Sequence, residues 1–191
     1  MNQAAAPRKD PAIETTLPCS LEDLYKGTPK KMKISREIAD ASGNTLPVEE
    51  ILTIDIKPGW KKGTKITFPE KGNEKLHSLL PTDLVFVIDE KPHSTFTREG
   101  NDLVVTERMS LVDALTWSYT TIHLTTLDGR TLRIPITNVI HPTHEETVPG
   151  EGMPLHSDPS RKGNLRIKFH IEFPTRLTAE QKAGIKRLLA P

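Results

Sequence analysis

The sequence predicts a mainly β protein: two small β-sandwich-like domains in tandem, each with a short helix, followed by a helix at the C-terminus. One observation is an internal repeat, because residues 20–34 align without a gap on residues 110–124, and residues 52–72 align on residues 132–152. Matches that keep their order and differ only by short insertions indicate a duplicated domain. The other observation is the alternation of apolar and polar residues in both copies, which is typical of strands with one buried face.

The domain boundaries follow from the repeat. The 191 residues are enough for two domains of about eighty residues each. We expect a disordered lead-in over residues 1–14, a first β-domain over residues 15–97, a second over residues 98–175 and the terminal helix over residues 176–191. Features that both copies share are interpreted as scaffold, and features of only one copy are candidates for function.

A short helix opens each repeat. Ser20 can cap a helix over residues 21–26, with Asp23 in the third helical position, and Gly27 can end it. Such a pair satisfies backbone N–H groups that have no partner in the first turn. Residues 110–113 offer the same device, so we expect a matching helix in the second copy.

Strands follow each helix. Met32 and Ile34 alternate with lysines and a serine, which predicts a strand with one apolar face. The returning strand alternates over residues 52–56 in the first copy. The clearest alternation, over residues 165–173, predicts a strand with one buried face at the end of the second copy.

Turn residues separate the paired strands. Ser42-Gly43-Asn44 lies between strands of the first copy, and Asp128-Gly129 lies between strands of the second. An Asp-Gly pair between alternating segments predicts a two-residue hairpin turn, in which both residues have positive φ.

The C-terminal helix has no counterpart in the first copy. Thr178 can cap it, and Gln181 completes a capping box. Ile185, Leu188 and Leu189 gather on one side. About a dozen residues are too few for a stable isolated helix. The helix therefore either packs back on the second copy or pairs with the same helix of a second chain.

Composition excludes several classes of protein. The net charge of +1 argues against a globally basic nucleic-acid binder. The apolar segments are all shorter than the ~18 residues that span a bilayer, and residues 1–14 lack a hydrophobic signal core. The single cysteine, Cys19, can form neither an internal disulfide nor a zinc site, which fits a reducing compartment.

Candidates for catalysis are weak. The segment His141-Pro142-Thr143-His144-Glu145-Glu146 has two imidazoles, but they are three residues apart and Pro142 opposes a helix, so it lacks the spacing of a helical zinc site. No Gly-x-Ser-x-Gly turn is present. We therefore predict no enzyme, no catalytic residue, no metal and no cofactor.

Positive charge distinguishes the first copy from the second. Residues 26–36 of the first copy contain five cations and no acid, whereas the matching residues 116–126 of the second copy contain no Lys, Arg, Asp or Glu. The five cations are Lys26, Lys30, Lys31, Lys33 and Arg36, and a second basic group follows at Lys57, Lys61, Lys62 and Lys65. A basic strand with an apolar face suits an extended acidic peptide. Nucleic acid would need more interleaved aromatic residues than Tyr25, Trp60 and Phe68.

Five segments resemble the C-terminal substrate-binding region of DnaJ-type co-chaperones (J-domain proteins). They are SLEDLYKGTPKKMKISR, LTIDIKPGWKKGTKITFPEKGN, DLVFVIDEKPHSTFTREGNDL, TLDGRTLRIPI and VPGEGMPL. The resemblance implies two β-rich domains, a C-terminal dimerisation helix and hence a homodimer. It also implies binding of unfolded client polypeptides, delivery to a DnaK-class seventy-kilodalton heat-shock chaperone and a cytoplasmic location. From the charge, the aromatic content and the short apolar segments we expect no nucleic-acid or membrane partner.

The resemblance further implies a docking site for the acidic Glu-Glu-Val-Asp tail of that chaperone on the first domain. Its basic rim falls on Lys30, Lys31 and Lys33, and its apolar floor on Met32, Ile34, Leu17 and Phe96. Methionine stands at Met32 where some members have phenylalanine, and its flexible side chain can fill the same space. The dimerisation residues are Ile185, Leu188 and Leu189.

Two departures refine the class. No Cys-x-x-Cys-x-Gly-x-Gly repeat interrupts the first copy, so the resemblance is to the zinc-free class B (type II) members. The chain also lacks the His-Pro-Asp motif of a J domain and a Gly/Phe-rich linker. We therefore expect a C-terminal fragment that does not itself stimulate ATP hydrolysis. A structural adaptor that dimerises without binding clients is the alternative.

Overall fold

The computed structural model describes residues 9–74, 80–116 and 120–191, and in these it contains eleven strands and three short helices. The prediction of a mainly β fold is confirmed. The chain divides into two compact units: unit 1 comprises residues up to Ser94 together with Met153–Gly163, and unit 2 comprises Thr95–Gly152 and Asn164–Pro191.

Unit 1 has five strands and one helix. The elements are β1 (Ile13–Cys19), α1 (Leu21–Lys26), β2 (Thr28–Ala39), β3 (Thr45–Ile56), β4 (Lys65–Phe68) and β5 (Leu84–Glu90). Strand β1 is the outer strand of a three-stranded sheet, in which it runs parallel to β5, and β4 pairs with β5 on the other side. Strands β2 and β3 form a separate two-stranded sheet.

Unit 2 repeats this arrangement. The elements are β6 (Thr97–Glu99), β7 (Asp102–Ser110), α2 (Leu111–Thr116), β8 (Thr120–Thr125), β9 (Thr131–Ile136), β10 (Glu145–Val148), β11 (Leu165–Glu172) and α3 (Ala179–Leu189). Strand β7 runs parallel to β11, as β1 does to β5. Strand β10 pairs with β11 and β6 with β7 on the outer sides, while β8 pairs with β9.

Pairing between strands corrects one part of the repeat alignment. Thr28 pairs with Ile56 in unit 1, and Thr120 pairs with Ile136 in unit 2. Because Ile56 and Ile136 are equivalent, Thr28 is equivalent to Thr120, ninety-two positions later and not ninety. The second copy holds two more residues between α2 and β8. The shift is even, so every residue keeps its predicted face.

Local signals in the sequence predict the helix starts correctly. The Ser20 hydroxyl accepts a hydrogen bond from the Asp23 N–H at 3.1 Å, and the Asp23 carboxylate accepts one from the Ser20 N–H at 3.1 Å. Helix α1 ends at Gly27, where φ is 74° and a Cβ would lie 2.8 Å from Pro58. Only glycine fits this close approach.

The hairpin prediction at Asp128-Gly129 is wrong in its turn type. Gly129 has φ of 86°, but Asp128 does not have positive φ. The loop is longer, because the Thr126 N–H donates to the Arg130 carbonyl at 2.8 Å and the Thr126 hydroxyl accepts the Arg130 N–H at 2.9 Å. These bonds stabilise a wider turn in which only the glycine needs a left-handed backbone.

Two domain boundaries differ from the predicted ones. The first strand begins at Ile13, inside the predicted lead-in, because the Ile13 N–H donates to the Asp83 carbonyl at 2.8 Å; residues 1–8 lie outside the described residues. Residues 153–163 belong to unit 1, although they were predicted in the second domain. Met153 is fully buried there, and the Lys162 ammonium donates to the Tyr25 hydroxyl at 2.5 Å.

Strand β11 and helix α3 end the chain. The predicted alternation holds for Leu165, Ile167 and Phe169, which are buried, but Phe173 is exposed beyond the strand. The predicted capping box of α3 is confirmed, because the Thr178 hydroxyl accepts from the Gln181 N–H at 3.1 Å. None of the α3 residues is buried, so the helix does not cover its apolar side within one chain. Within the described residues, no helix is long and apolar enough to cross a membrane.

Candidate functional site

Unit 1 contains a cleft of about 300 Å³ between β1 and β2. Strand β1 is the edge of its sheet, and β2 pairs only with β3 among the described residues. The cleft is lined from β1 and β5 by Ile13, Thr15 and Leu84, from β2 by Lys33, Ile34, Ser35 and Arg36, and from the loop after β4 by Lys71, Gly72 and Asn73.

The backbone of β2 is open along this cleft. Near the end of the strand, the Glu37 N–H donates to the Asn73 side chain at 3.1 Å. Because consecutive residues of a strand point their backbone groups to opposite edges, Lys31, Lys33 and Ser35 point theirs to the same edge as Glu37. In the described part of the chain these three residues have no backbone partner on that edge.

The predicted β2 residues divide between two faces. Lys30, Met32 and Ile34 are half-buried on the inner face, whereas Lys31 and Lys33 are exposed on the outer face. The inner face supplies the apolar surface and the outer face supplies free positive charge. Of these five residues, Lys33 and Ile34 line the cleft itself.

Lys30 is held inside unit 1. Its ammonium lies 2.8 Å from the Asp23 carboxylate and donates to the Pro18 carbonyl at 3.2 Å. Burial alone would raise the pKa of the Asp23 carboxyl, but hydrogen bonds from Lys30 and from the Ser20 N–H hold that pKa below its usual value. Lys30 therefore joins β2 to α1 and β1, and its charge is less available to a partner than the charges of Lys31 and Lys33.

Lys31 and Lys33 are the cations available to a partner. Lys33 lies 2.7 Å from Glu49, but both side chains are more than half exposed. Such pairs contribute little to stability, so Lys33 can exchange its partner at small cost. Lys31 has no ion-pair or hydrogen-bond partner within the described ranges.

A three-member ion network stands at one end of the cleft. Glu50 lies 2.5 Å from the Lys71 ammonium and 3.7 Å from the Arg36 Nε. Arg36 also donates to the Glu70 carbonyl at 3.3 Å, yet its Nε is buried without a hydrogen-bond partner. With two cations and one carboxylate, the network leaves one net positive charge beside the cleft.

Arg36 is among the cations that the charge difference between the copies singles out, but Lys71 is not. Lys71 lies in the segment that aligns with residues 149–152 of the second copy. A comparison of charge at that position would have found it, because Glu151 stands where the first copy has Lys71.

Leu17 and Phe96 have different positions. Leu17 is 2% exposed on β1, pairs in register with Ile88 and is not among the residues that line the cleft. Phe96 is buried in unit 2 and is not among the residues that line the cleft. Its prediction as a floor residue gains no support from the geometry of unit 1.

Three lysines of the second basic group lie beside carboxylates on the surface of unit 1. Each of three lysines has a carboxylate partner: Lys57 with Asp55, Lys62 with Asp89 at 3.4 Å and Lys65 with Glu14 at 2.5 Å. These pairs are about as exposed as the Lys33–Glu49 pair, so the second basic group differs from Lys33 in lying outside the cleft.

The histidine motif in unit 2 forms a turn. The His144 N–H donates to the His141 carbonyl at 2.9 Å, and the His144 ring bonds Glu146 at 2.8 Å. No group of three or more potential metal ligands occurs within the described residues.

The fold and the cleft define a protein of two β-rich units, one of which has an open strand edge beside a cleft that combines the apolar residues Ile13, Ile34 and Leu84 with a cationic rim. The chain belongs to the DnaJ C terminal domain family, whose model matches residues 13–174. It represents the C-terminal region of a class B J-domain protein.

Three curated relatives illustrate this membership. The chain is 45% identical over 183 residues to DnaJ homolog subfamily B member 13 of Homo sapiens, covering 95% of this chain and 57% of the relative. It is 46% identical over 178 residues to Protein psi1 of Schizosaccharomyces pombe, covering 93% and 46%. It is 37% identical over 177 residues to Protein SIS1 of Saccharomyces cerevisiae, covering 93% and 49%. The chain thus spans about half the length of the curated relatives it matches.

Proposed function

We propose that the chain is the peptide-binding part of a cytoplasmic co-chaperone. It binds unfolded client polypeptides and the acidic Glu-Glu-Val-Asp tail of a DnaK-class chaperone. The observation that carries the proposal is the open edge of β2 from Lys31 to Ser35, beside a cleft with apolar residues on both walls and two available lysines. No catalytic step belongs to this role.

The peptide backbone is the first element of recognition. An extended segment that lies along β2 can exchange hydrogen bonds with the free N–H and C=O groups of Lys31, Lys33 and Ser35. These bonds do not depend on the sequence of the segment. A site that begins with them can therefore accept many unfolded clients, which expose the same backbone groups.

Side chains supply the second element. Alternate side chains of an added strand point to one face, so a valine of the acidic tail can enter the cleft beside Ile34 and Ile13. The carboxylates of the tail then meet Lys31, Lys33 and the net positive network around Glu50. Exposed ion pairs of this kind contribute about 0.2–1 kcal/mol each to binding. Several such pairs together favour an acidic peptide over a neutral or basic one.

The C-terminal helix supports a homodimer. Ile185, Leu188 and Leu189 lie on an eleven-residue helix and remain exposed. A helix of this length is marginal alone and gains stability when its apolar side is covered. Pairing with the same helix of a second chain covers that side.

The same exposed helix is compatible with the alternative, a structural adaptor that dimerises without binding clients. Suppression of the aggregation of an unrelated denatured protein separates the two functions. A client-binding protein lowers light scattering in proportion to its concentration, and an adaptor leaves it unchanged.

A peptide titration tests the tail site. A labelled peptide that ends in Glu-Glu-Val-Asp is titrated by fluorescence anisotropy with the 191-residue chain. The double variant Lys31→Glu, Lys33→Glu should weaken binding at least about tenfold, because attraction becomes repulsion at two rim positions. The matched control Lys61→Glu, Lys62→Glu changes the charge equally outside the cleft and should change affinity much less. Equal affinity of the cleft variant and the wild type would refute the site.

A further inference from the structure

Each unit carries a three-member ion network, and the two networks have opposite net charges. In unit 1, Glu50 lies between the cations Lys71 and Arg36. In unit 2, Arg130 stands at the position of Glu50 and lies 2.7 Å from Glu151 and 2.9 Å from Asp128. Two cations around one anion leave net positive charge, and two anions around one cation leave net negative charge.

Position by position, the reversal concerns the residues that form the rim of the unit 1 cleft. With the offsets set by strand pairing, Lys33 is replaced by Thr125 and Lys71 by Glu151. Asp128, the second anion of the unit 2 network, lies in the loop between β8 and β9, beyond the paired residues. Lys30, which joins β2 to β1 in unit 1, is replaced by the buried Ile122. The region of unit 2 that corresponds to the cleft therefore has no lysine and gains two carboxylates.

A third carboxylate lies on the neighbouring strand. Glu107 of β7 occupies the position of Leu17, because Leu17 pairs with Ile88 in unit 1 and Glu107 pairs with Phe169 in unit 2. Glu107 lies on the same face of β7 as the buried residues Val105 and Met109, and it is itself half-buried. Unit 2 therefore has the carboxylate of Glu107 on the core face of its strand, where unit 1 has the apolar side chain of Leu17.

Glu107 has no partner of opposite charge in the described part of the chain. The adjacent Arg108 points to the other face, where it bonds Glu172 at 3.1 Å. Burial raises the pKa of the Glu107 carboxyl. A half-buried carboxylate without a cation is unfavourable, so an external cation would find a strong electrostatic complement there.

Strand β7, which carries Glu107, has an open edge. Strand β6 pairs with β7 only from Asp102 to Val104, so the backbone from Val105 to Ser110 has no strand on that side within the described ranges. The Leu103 N–H donates to the Asn164 carbonyl beside β11 at 3.0 Å, which places odd-numbered backbone groups on the β11 side. The groups of Thr106 and Arg108 therefore face the open edge.

We propose that unit 2 carries a second docking site for extended polypeptide, along the open edge of β7, in which Glu107 pairs with a lysine or arginine side chain of the bound segment. The proposal rests on the proposed function that the chain binds extended polypeptides. Unit 1 then prefers acidic segments and unit 2 prefers segments with a cation among apolar residues. One chain can hold oppositely charged parts of an unfolded client.

Three labelled peptides of leucine, valine and threonine test this site. They differ only at the central residue, which is lysine, norleucine or glutamate. Anisotropy titrations of the 191-residue chain should show that the lysine peptide binds about tenfold more tightly than the norleucine peptide, which corresponds to about 1.4 kcal/mol. The glutamate peptide should bind less tightly than both at this site.

Variants assign the preference to Glu107. Glu107→Leu, which restores the residue type of Leu17, and Glu107→Gln should both remove the advantage of lysine over norleucine. The control Glu172→Gln removes a carboxylate from the other face and should retain it. Chemical-shift changes at the Thr106 and Arg108 amides on addition of the lysine peptide should localise binding.

The outcomes separate this site from that of unit 1. If lysine has no advantage in the wild type, or keeps it in both Glu107 variants, the inference is overturned. If that happens while the acidic-tail peptide still depends on Lys31 and Lys33, the proposed function stands without it. If neither peptide binds, both fail together.

Discussion

The hydroxyl oxygen of Thr82 lies 2.0 Å from the position that a Cβ on Gly72 would occupy. The Gly72 N–H donates to the Thr82 carbonyl at 2.8 Å, and Gly72 lines the cleft of unit 1 beside Lys71. The glycine is therefore required by close packing and not by its backbone angle. This contact positions the loop that closes one end of the cleft.

Gly72→Ala should lower the free energy of unfolding by about 1–3 kcal/mol, because an added methyl group overlaps Thr82 in a packed site. Denaturant unfolding measures the change. Gly184→Ala is the control, since a Cβ at Gly184 meets nothing within 4 Å and alanine favours a helix. Thr82→Ala should partly rescue Gly72→Ala, and strictly additive effects of the two changes would contradict the overlap.

Glu107→Leu should raise the free energy of unfolding by about 1 kcal/mol at pH 7, because it removes a half-buried carboxylate that lacks a partner. The sign depends on pH. The folded pKa of Glu107 lies above its unfolded value, so the carboxyl destabilises the fold when ionised and ceases to do so as the pH falls below the unfolded pKa. Denaturant unfolding at pH 7 and at pH 4 should show a larger gain at pH 7, and a loss of stability would reveal a partner.

Asp128 should contribute to acid sensitivity. Burial opposes its ionised form, but hydrogen bonds from Arg130 and Thr126 lower the pKa of Asp128 to about 2. Because the folded pKa lies below the unfolded value, this stabilisation is present above the unfolded pKa and is lost as the pH falls toward about 2. Asp128→Asn should therefore lower the free energy of unfolding at pH 7 and make it depend less on pH between about 4 and 2. Unfolding monitored by circular dichroism at several pH values measures both effects. An unchanged acid dependence would argue against the assignment.

Ile185→Asp with Leu188→Asp should convert a dimer to a monomer, since two charges on the exposed apolar side of α3 oppose pairing. Light scattering gives the mass. The control is the double change Lys182→Asp with Lys186→Asp on the same helix, because these two positions already carry charged side chains. A wild type that is monomeric, or a variant that stays dimeric, would contradict the role of α3.

The elements whose signals lie within a few residues agree with the sequence. The caps at Ser20 and Thr178 depend on hydrogen bonds between positions three apart, and the alternation at Leu52, Ile54 and Ile56 depends on which residues are apolar. The turn at Asp128 was predicted wrongly because the hydroxyl of Thr126 changed the preferred loop.

The candidate site was only partly predictable. The charge difference between the copies identified Lys31 and Lys33 as a basic rim. The carboxylates beside Lys30 and Lys62 come from other segments, at Asp23 and Asp89, and no local pattern relates them.

Local chemistry alone therefore set the strands, the helix caps, the duplication and the excess of lysine in the first copy, because each depends on neighbours along the chain. The packing of distant segments decided which cations are free, that residues 153–163 join unit 1, and that Arg130 and Glu50 centre networks of opposite charge. An ion pair depends on distances in space, and those distances exist only once the strands have paired in register.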